Sequence, residues 1–403
     1  MALRFDGATF ISLYLPAFIL AASNGLVIPA LPVLAHSLSS NFALAATAVA
    51  CLTLGSALAA IPAGYLLDHF GRRRIAILGL GLVAASGLAM TTVTSFTQVI
   101  VFQLVAGAGS QMWMLGRLTL LGAQAKTVAR GRQVSGMMGM EMTGNLVGPA
   151  IGGAITAAFS PAVTFAVRGA LCLGAAVLVY WSTRPAPGEP GEAETSPSEK
   201  STLSIWQMLR TEPLPKVMEL QLAVSLSRGA LLTGTLELYM VYAYGTTAST
   251  IGVLRSVISA ICVPVTFTAG HLMDRHGRKA VIIPAFILIA LAVLVMACCA
   301  FFALPFEVFA LGVLLALVGQ ALTSGFMQTL GMDLAPPQWS GRFLGIQRLS
   351  TEFGHFLSPM GFALAASTLG YGSAFFCLSA MSGVVATWIA KSRWFPEKVG
   401  NRQ

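Results

Sequence analysis

Charged side chains are scarce in this sequence: only 10% of its 403 residues are Asp, Glu, Lys or Arg, whereas 56% are hydrophobic. Soluble domains contain roughly 25% charged residues, so this composition excludes a water-soluble globular protein. The mean hydropathy of +0.78 describes the whole length, which also excludes a soluble domain with a single membrane anchor. The composition therefore predicts a chain that crosses a membrane many times.

Dense basic runs are also absent, although the formal net charge is +9. The basic residues lie between apolar segments without interleaved aromatic side chains, so we expect no nucleic-acid partner. The six cysteines form no CxxC spacing and no cluster with histidine, so we expect no metal site and no cofactor. The sequence contains no nucleophile elbow or phosphate-binding loop. We therefore expect a protein that is not an enzyme, and a membrane-embedded receptor or enzyme is the less favoured alternative.

Apolar runs of about 20 residues, the length that crosses ~30 Å of hydrocarbon, recur along the chain. The first run is too long for the apolar part of a cleaved signal peptide, so we expect it to remain as the first helix. The predicted spans lie at residues 9–35, 42–64, 75–93, 97–121, 134–158, 160–183, 217–243, 248–269, 280–302, 305–333, 344–368 and 372–391. The sequence thus predicts an all-α membrane protein with twelve transmembrane helices.

The connections between these runs alternate in charge. Those at 36–41, 92–97, 244–249 and 369–372 contain no Lys or Arg. The intervening connections and the tail contain Arg72, Arg73, Arg74, Lys126, Arg130, Arg132, Arg275, Arg278, Lys279, Arg342, Lys391, Arg393 and Lys398. By the positive-inside rule the basic connections are cytoplasmic, and an even number of helices places both termini there. We expect a multi-pass monomer in the lipid of a bacterial inner membrane.

A polar segment divides the chain in two. Residues 184–200, RPAPGEPGEAETSPSEK, are rich in Pro, Gly, Ser and Glu and predict a flexible linker. We therefore divide the chain into an N-terminal six-helix bundle at 1–183, a cytoplasmic linker at 184–216, and a C-terminal six-helix bundle with a short tail at 217–403.

The two bundles are similar in sequence. GYLLDHFGRR at 64–73 matches GHLMDRHGRK at 270–279 with an offset of 206 residues. Gly144 and Pro149 correspond to Gly354 and Pro359 with an offset of 210 residues. Matching motifs in the same order at nearly one offset indicate an internal duplication, so we expect the bundles to be pseudo-symmetric. Parallel six-helix repeats are typical of transporters that bind a small-molecule substrate between the halves near the membrane midplane.

The duplicated motif lies where one helix turns sharply into the next. Gly71 supplies a backbone that can take a positive φ, and Gly64 permits close helix contact. Asp68 and Arg72 can reach each other and neighbouring helix ends. We interpret the motif as a conformational latch, and the alternative is a basic turn that serves topology alone. The predicted latch residues are Gly64, Asp68, Gly71, Arg72, Gly270, Asp274, Gly277, Arg278 and Asp333.

A second motif lies on the fifth helix and consists of Gly144, Gly148, Pro149, Gly152 and Gly153. Three of its glycines recur every four residues and form a smooth stripe for close helix packing, and the proline permits a bend. The alternative is a packing face with no bearing on the direction of transport.

Over essentially its whole length the chain resembles the major facilitator superfamily, whose signature between helices two and three is G-x-x-x-D-x-x-G-R-[RK]. The glycine motif on helix five is similar to the antiporter motif of drug/proton exchangers in that superfamily. The resemblance implies alternating access with protons as a second partner, and it favours export over uptake.

Two positions depart from the exporter pattern. Such exporters usually have an Arg four residues before a Gly in helix four, whereas this chain has Gln103 four residues before Gly107. The acid often found at the cytoplasmic end of that helix is replaced by Gly122. Proton coupling is therefore inherited from the resemblance and is not supported by these two positions.

Ionisable side chains inside apolar runs cost at least ~2.5–3.5 kcal/mol each on insertion scales, so they are functional candidates. Similar distances from a helix turn predict that Glu237 meets Arg255 and that Glu141 meets Arg117. Arg348, Glu352 and His355 are spaced to share one helix face. A structural ion pair or helix contact is the alternative reading for each. The candidate substrate or proton sites are Asn24, Gln103, Arg117, Glu141, Arg228, Glu237, Arg255, Glu352 and His355.

Arg228 has no acid three or four residues away on either side and is the leading candidate for a substrate-binding charge. Arg168 likewise has no evident partner. Five arginines against three glutamates at membrane depth favour an anionic or zwitterionic substrate. We expect proton-coupled export of a small anionic or amphipathic organic compound, such as an antibiotic, a siderophore or a metabolite. An importer of a small organic solute, as a symporter or facilitator, is the alternative.

Overall fold

The computed structural model describes residues 14–124, 130–183, 213–336 and 340–392. Within these ranges the chain is almost entirely α-helical and contains no β-strand. The helices are α1 (Leu15–Leu38), α2 (Phe42–Phe70), α3 (Arg72–Ala89), α4 (Phe96–Gln124), α5 (Arg130–Ala158), α6 (Pro161–Ser182), α7 (Leu214–Leu232), α8 (Thr235–Tyr244), α9 (Ala248–His276), α10 (Arg278–Phe302), α11 (Phe306–Leu322), α12 (Phe326–Leu334), α13 (Ser340–Leu369) and α14 (Tyr371–Lys391). The start of the first predicted span and most of the predicted linker, residues 184–212, lie outside the described ranges.

Nine helical segments in the described chain are each long and apolar enough to cross a membrane. The three remaining predicted spans correspond to α5, to α7 with α8, and to α13. Helices α5, α7 and α13 each contain three Asp, Glu, Lys or Arg residues, which lowers their mean hydropathy. The fold is that of an all-α membrane protein with pseudo-symmetric six-helix bundles, and these segments are consistent with twelve spans.

Two spans predicted as continuous helices are broken. The span predicted at 217–243 is divided at Gly234, where φ is 94°, and the span predicted at 305–333 is divided at Gly325, where φ is 77°. Before each break a threonine hydroxyl donates back to its own helix, from Thr233 to the Gly229 carbonyl at 2.8 Å and from Thr323 to the Gln320 carbonyl at 2.9 Å. Positive φ at glycine and this side-chain bond end the first helix. Each break therefore creates new helix termini, with polar backbone groups, within a span.

The described residues pack into two compact units. One contains the described residues up to 183 together with Glu237–Ser259, and the other contains residues 213–236 together with the described residues from Ala260 onward. The boundary predicted at the linker divides the sequence duplication, whereas packing places Glu237–Ser259 with the first unit. Helix α8 and the first part of α9 therefore belong with α1–α6 by their contacts.

The internal duplication is visible in the packing of each unit. In the first unit α1 packs against α5, and α3 packs against α6. In the second unit the corresponding helices are paired, because α7 packs against α13 and α10 packs against α14. Each pair joins the first and fifth, or the third and sixth, span of a bundle. The sequence repeat therefore encodes the same helix contacts twice.

The second basic residue of each duplicated motif caps the last helix of its own bundle. Arg73 donates from Nη2 to the Tyr180 carbonyl at 2.6 Å, and its guanidinium lies 5.0 Å from the centroid of the same tyrosine ring. Lys279, at the equivalent position, donates from Nζ to the Ser392 carbonyl at 2.7 Å. A cation at a helix C-terminus satisfies unpaired carbonyls and interacts favourably with the helix dipole. Both motifs thus fasten the third span of a bundle to the end of its sixth.

Gly71 and Gly277 form the sharp turns of the two motifs. Their backbones have φ of 81° and 87° with ψ of 159° and 155°, a region that is essentially restricted to glycine. The positive φ expected at Gly71 is therefore confirmed. The close contact expected at Gly64 is not found in the part of the chain that the structure describes, because a Cβ on Gly64 or Gly270 would have no described atom within 4 Å. Close helix packing does not explain the first glycine of either motif.

We expect Gly71→Ala and Gly277→Ala each to destabilise the protein by about 1–3 kcal/mol, because alanine is strained at these angles. Gly71→Val should also impair transport while the protein still inserts into the membrane. The matched control is Gly81→Ala in α3, where an added Cβ has nothing within 4 Å. Thermal unfolding in detergent measures the difference. Equal melting temperatures for Gly71→Ala and Gly81→Ala would contradict the strain argument.

Candidate functional site

Helices α7 and α13 of the second unit pack closely and run parallel. The Ser358 hydroxyl donates to the Leu226 carbonyl at 2.6 Å and accepts from the Ala230 amide at 2.8 Å. A Cβ added to Gly229 would lie 3.0 Å from the Cα of His355, closer than ordinary carbon contacts of ~3.5–4.0 Å. These contacts fix the depth of the side chains on the two helices relative to each other.

A buried glutamine pair joins the same helices nearer their N-terminal ends. Gln347 donates from Nε2 to the Met327 carbonyl of α12 at 2.7 Å and to the Gln221 side-chain oxygen at 3.3 Å. Gln221 in turn donates to the Ser225 hydroxyl at 3.1 Å. The network ties the short helix α12, beyond the break at Gly325, to α7 and α13. Sequence reasoning missed both glutamines, although buried amides within apolar runs were a usable signal.

Arg228 lies on α7 beside this contact. It is partly exposed, and its Nε is buried without a hydrogen-bond partner. It forms no ion pair and no hydrogen bond with any residue that the structure describes. A guanidinium offers five donors in a planar fork that matches a carboxylate, sulfonate or phosphate. The geometry therefore leaves Arg228 available to an anionic group of a ligand.

The predicted polar face of α13 is present. Arg348 Nη2 lies 2.5 Å from Glu352 Oε1 in an ion pair four residues apart, and the side chain of Glu352 is only 7% exposed. His355 follows within one turn, and its Cα packs against Gly229 of α7, the residue next to Arg228. Arg228, Arg348, Glu352 and His355 are called the α7–α13 charge cluster below. With the carboxylate ionised and the imidazole neutral, the cluster has a net charge of about +1.

Glu237 and Arg255 form the ion pair that was predicted from their depth. Glu237 is fully buried and lies in the first turn of α8, directly after the break at Gly234. The positive end of the α8 dipole stabilises the carboxylate there. The side chain of Arg255 is 11% exposed. The break in the span therefore gives Glu237 two favourable electrostatic partners, and its role in transport remains a prediction.

Arg117 and Glu141 also pair across the α4–α5 turn. Their side chains are 12% and 26% exposed, so both have limited access to solvent. Gln103, which occupies the place of the arginine usual in exporters, is buried, and its Oε1 has no hydrogen-bond partner in the described chain. An unsatisfied buried acceptor is costly, which keeps Gln103 a candidate for contact with a ligand or proton donor.

Asn24 has a protein partner that sequence reasoning did not foresee. The fully buried Arg168 of α6 donates from Nη2 to Asn24 Oδ1 at 3.3 Å, and the nearby Ser23 hydroxyl lies 3.2 Å from Cys172 Sγ. The expectation that Arg168 lacks a partner is therefore wrong. Asn24 neutralises no charge but satisfies one donor of Arg168. Its assignment as a substrate contact stays a prediction.

The glycine motif of α5 packs on two neighbours. A Cβ on Gly148 would lie 2.9 Å from the Cα of Gly25, and one on Gly152 would lie 2.5 Å from the Cα of Leu26, so this stripe meets the backbone of α1. Gly153 faces elsewhere: a Cβ there would lie 3.1 Å from the Cα of Gly252 in α9. The close packing predicted for the stripe is present. The motif therefore joins α1 and the first part of α9 to α5 within one compact unit.

Of the predicted latch residues, the structure joins Arg278 to Asp333. Arg278 Nη2 donates to Asp333 Oδ2 at 2.5 Å, and the side chain of Arg278 is 5% exposed. Asp274 is exposed. Arg72 forms no ion pair or hydrogen bond with a described residue, and the side chain of Asp68 lies outside the description. The proposed Asp68–Arg72 contact therefore stays a prediction.

We expect Asp333→Asn to lower stability by about 1–3 kcal/mol, because it leaves the buried Arg278 guanidinium without its carboxylate. Asp274→Asn should have an effect of about 0.5 kcal/mol or less, because Asp274 is exposed and Asp333 still pairs with Arg278. Asp274→Asn should also impair transport less than Asp68→Asn does. Melting temperatures of the two purified variants test the contrast. A larger loss for Asp274→Asn would reverse the assignment of roles.

Among the described residues, no group of three or more His, Cys, Asp or Glu side chains could hold a metal ion. Within the described ranges the site is thus composed of ion pairs, amides and two arginines without an acidic partner, Arg168 and Arg228. Such groups bind and release polar solutes and protons, and they do not form a nucleophile–base constellation.

Comparison with known proteins gives one family match and several structural likenesses. The family model of the Major Facilitator Superfamily matches residues 13–359 and 220–401. The quinolone resistance protein NorA of Staphylococcus aureus is 26% identical over 220 residues, which cover 53% of this chain and 55% of that protein. The chain thus spans about half the length of this curated relative.

Solved transporters have the same fold at low sequence identity. A D-xylose-proton symporter has a TM-score of 0.76 at 16% identity, with coverage of 96% of this chain and 97% of that one. The human organic anion transporter MFSD10 has a TM-score of 0.69 at 16% identity, with coverage of 96% and 100%. The nucleoside transporter NupG has a TM-score of 0.75 at 12% identity, with coverage of 95% and 99%.

Proposed function

The chain belongs to the major facilitator superfamily, and from that premise we propose that it exports a small anionic or amphipathic organic compound in exchange for protons, by alternating access. Arg228 carries this proposal. An arginine without an acidic partner at membrane depth is costly unless it serves a ligand or a hydrated space. A bidentate anion would satisfy its forked donors.

Export rather than uptake is supported by the glycine motif of α5 and by the relative named as a quinolone resistance protein. Resistance through a transporter requires removal of the compound from the cell. We further propose that the basic loops and both termini face the cytoplasm of a bacterial inner membrane, since the alternation of basic connections follows the positive-inside rule.

Transport by membrane vesicles tests the direction. We suggest a fixed-charge panel of radiolabelled naphthyl compounds: a sulfonate as anion, a sulfobetaine as zwitterion, a trimethylammonium salt as cation and an alcohol as neutral control. Everted vesicles with an acidic lumen, and so an outward proton gradient, should accumulate the sulfonate or the sulfobetaine, and a protonophore should abolish the accumulation. Vesicles from cells without the protein are the control. Accumulation in right-side-out vesicles instead would establish uptake, and transport unaffected by the protonophore would exclude proton coupling.

A further inference from the structure

The α7–α13 charge cluster contains both signs of charge. Arg228 lacks an acidic partner in the described chain, whereas Glu352 is a nearly buried carboxylate whose Oε1 contacts Arg348. Glu352 precedes His355 by three residues, or about 5 Å along the helix, and His355 lies at the level of Gly229. Arg228 and Glu352 therefore lie within about 5 Å of each other along the axes of two packed helices.

Other titratable groups on the packed helices lie elsewhere. On α7, Lys216 and Glu219 are exposed and lie twelve and nine residues, or roughly 18 and 13 Å, from Arg228. On α12, Asp333 is paired with Arg278. On α14, Tyr371 and Lys391 occupy the two ends of the helix. Glu352 is thus the carboxyl group whose protonation changes the charge of this cluster.

Whether proton binding strengthens or weakens substrate binding restricts the charge that the substrate can have. Binding linkage is reciprocal, so a ligand whose affinity rises when Glu352 is protonated also promotes proton binding. A purely anionic ligand behaves this way, because protonation raises the charge of the cluster from about +1 to about +2. Such a ligand loads together with the proton. Exchange requires the opposite: proton and substrate must exclude each other at the site.

We infer that the exported compound is a zwitterion, with its anionic group bound by the Arg228 guanidinium and its cationic group bound by Glu352 in place of a proton. This inference rests on the proposed function, since it takes exchange as given. The anionic group accounts for the arginine, and the cationic group accounts for competition with the proton. Release on the outer side follows when a proton occupies the Glu352 carboxylate and the cationic group loses its partner.

Equilibrium binding of the fixed-charge panel tests the inference. The full-length protein in lipid nanodiscs is titrated with each radiolabelled compound between about pH 5 and about pH 8, where perturbed carboxyl groups titrate. The compounds keep their charge throughout, so any pH dependence belongs to the protein. The sulfobetaine should bind more tightly than the sulfonate, and its affinity should fall by up to about tenfold per pH unit on acidification.

Matched variants locate the effect. Glu352→Gln should abolish the pH dependence, whereas Glu219→Gln, the same change at an exposed position of α7, should preserve it. Arg228→Gln should lower the affinity for the sulfobetaine at every pH. Equal or tighter binding of the sulfonate, binding of the sulfobetaine that strengthens on acidification, or no sulfobetaine binding at any pH overturns the inference. Transport direction plays no part in this measurement, so the vesicle assay can fail while the binding pattern holds, and the reverse.

Discussion

Gly148→Leu should block transport and remove most of the folded protein. A Cβ at this position would lie 2.9 Å from the Cα of Gly25 and 3.2 Å from the carbonyl carbon of Ala22. These atoms belong to the backbone of α1 and cannot move aside as a flexible side chain would. Overpacking a well-packed core costs about 1–3 kcal/mol, and the rigid backbone on the other side places this case at or above the upper end.

The same helix offers a matched control. Gly139→Leu in α5 adds the same side chain where a Cβ has nothing within 4 Å. Size-exclusion profiles in detergent, followed by transport of the fixed-charge panel, should show a monodisperse, active Gly139→Leu protein and an aggregated or inactive Gly148→Leu protein. Unchanged transport by Gly148→Leu would refute the claim that α1 and α5 depend on this stripe.

Arg228→Gln should lower the affinity for the sulfonate and the sulfobetaine by at least about tenfold, the range expected for one charge-assisted contact. The neutral alcohol and the trimethylammonium salt should be affected little. Arg228→Lys keeps the charge but loses the forked geometry, so its affinity should lie between those of Arg228→Gln and the unaltered protein.

Arg275→Gln is the control for net charge, because Arg275 is exposed at the end of α9. It should bind the panel as the unaltered protein does. If Arg228→Gln leaves anion binding intact, or lowers the affinity for all four compounds equally, Arg228 supports the fold and does not bind the substrate.

The sequence predicted contacts within helical hairpins well, because a short turn fixes the relative depth of its two helices. For this reason the ion pairs of Glu237 with Arg255 and of Glu141 with Arg117 could be predicted. Arg168 and Asn24 lie on spans that no hairpin joins, so depth counted from a turn could not pair them. The interaction became visible only with the packing of α1 against α6.

Helix breaks were harder to predict than helix spans. Thr233-Gly234 and Ser324-Gly325 lie within long apolar runs, where hydropathy indicates a continuous span. A glycine within a transmembrane helix is common and does not by itself end it. The outcome depends on tertiary contacts such as the Gln347 bond to Met327 beyond the break. Gly64 was expected to permit close helix contact, but a Cβ there would have no described atom within 4 Å.

Proton movement driven by a substrate gradient tests the central claim, proton-coupled exchange, most directly. Proteoliposomes are loaded with the naphthyl sulfobetaine and a pH-sensitive dye, then diluted into probe-free buffer at the same pH. As the probe leaves, exchange brings protons inward, so the lumen should acidify, and Arg228→Gln should reduce the signal to that of empty liposomes. A lumen that becomes alkaline as the probe leaves, showing that protons travel with the substrate, would contradict the account.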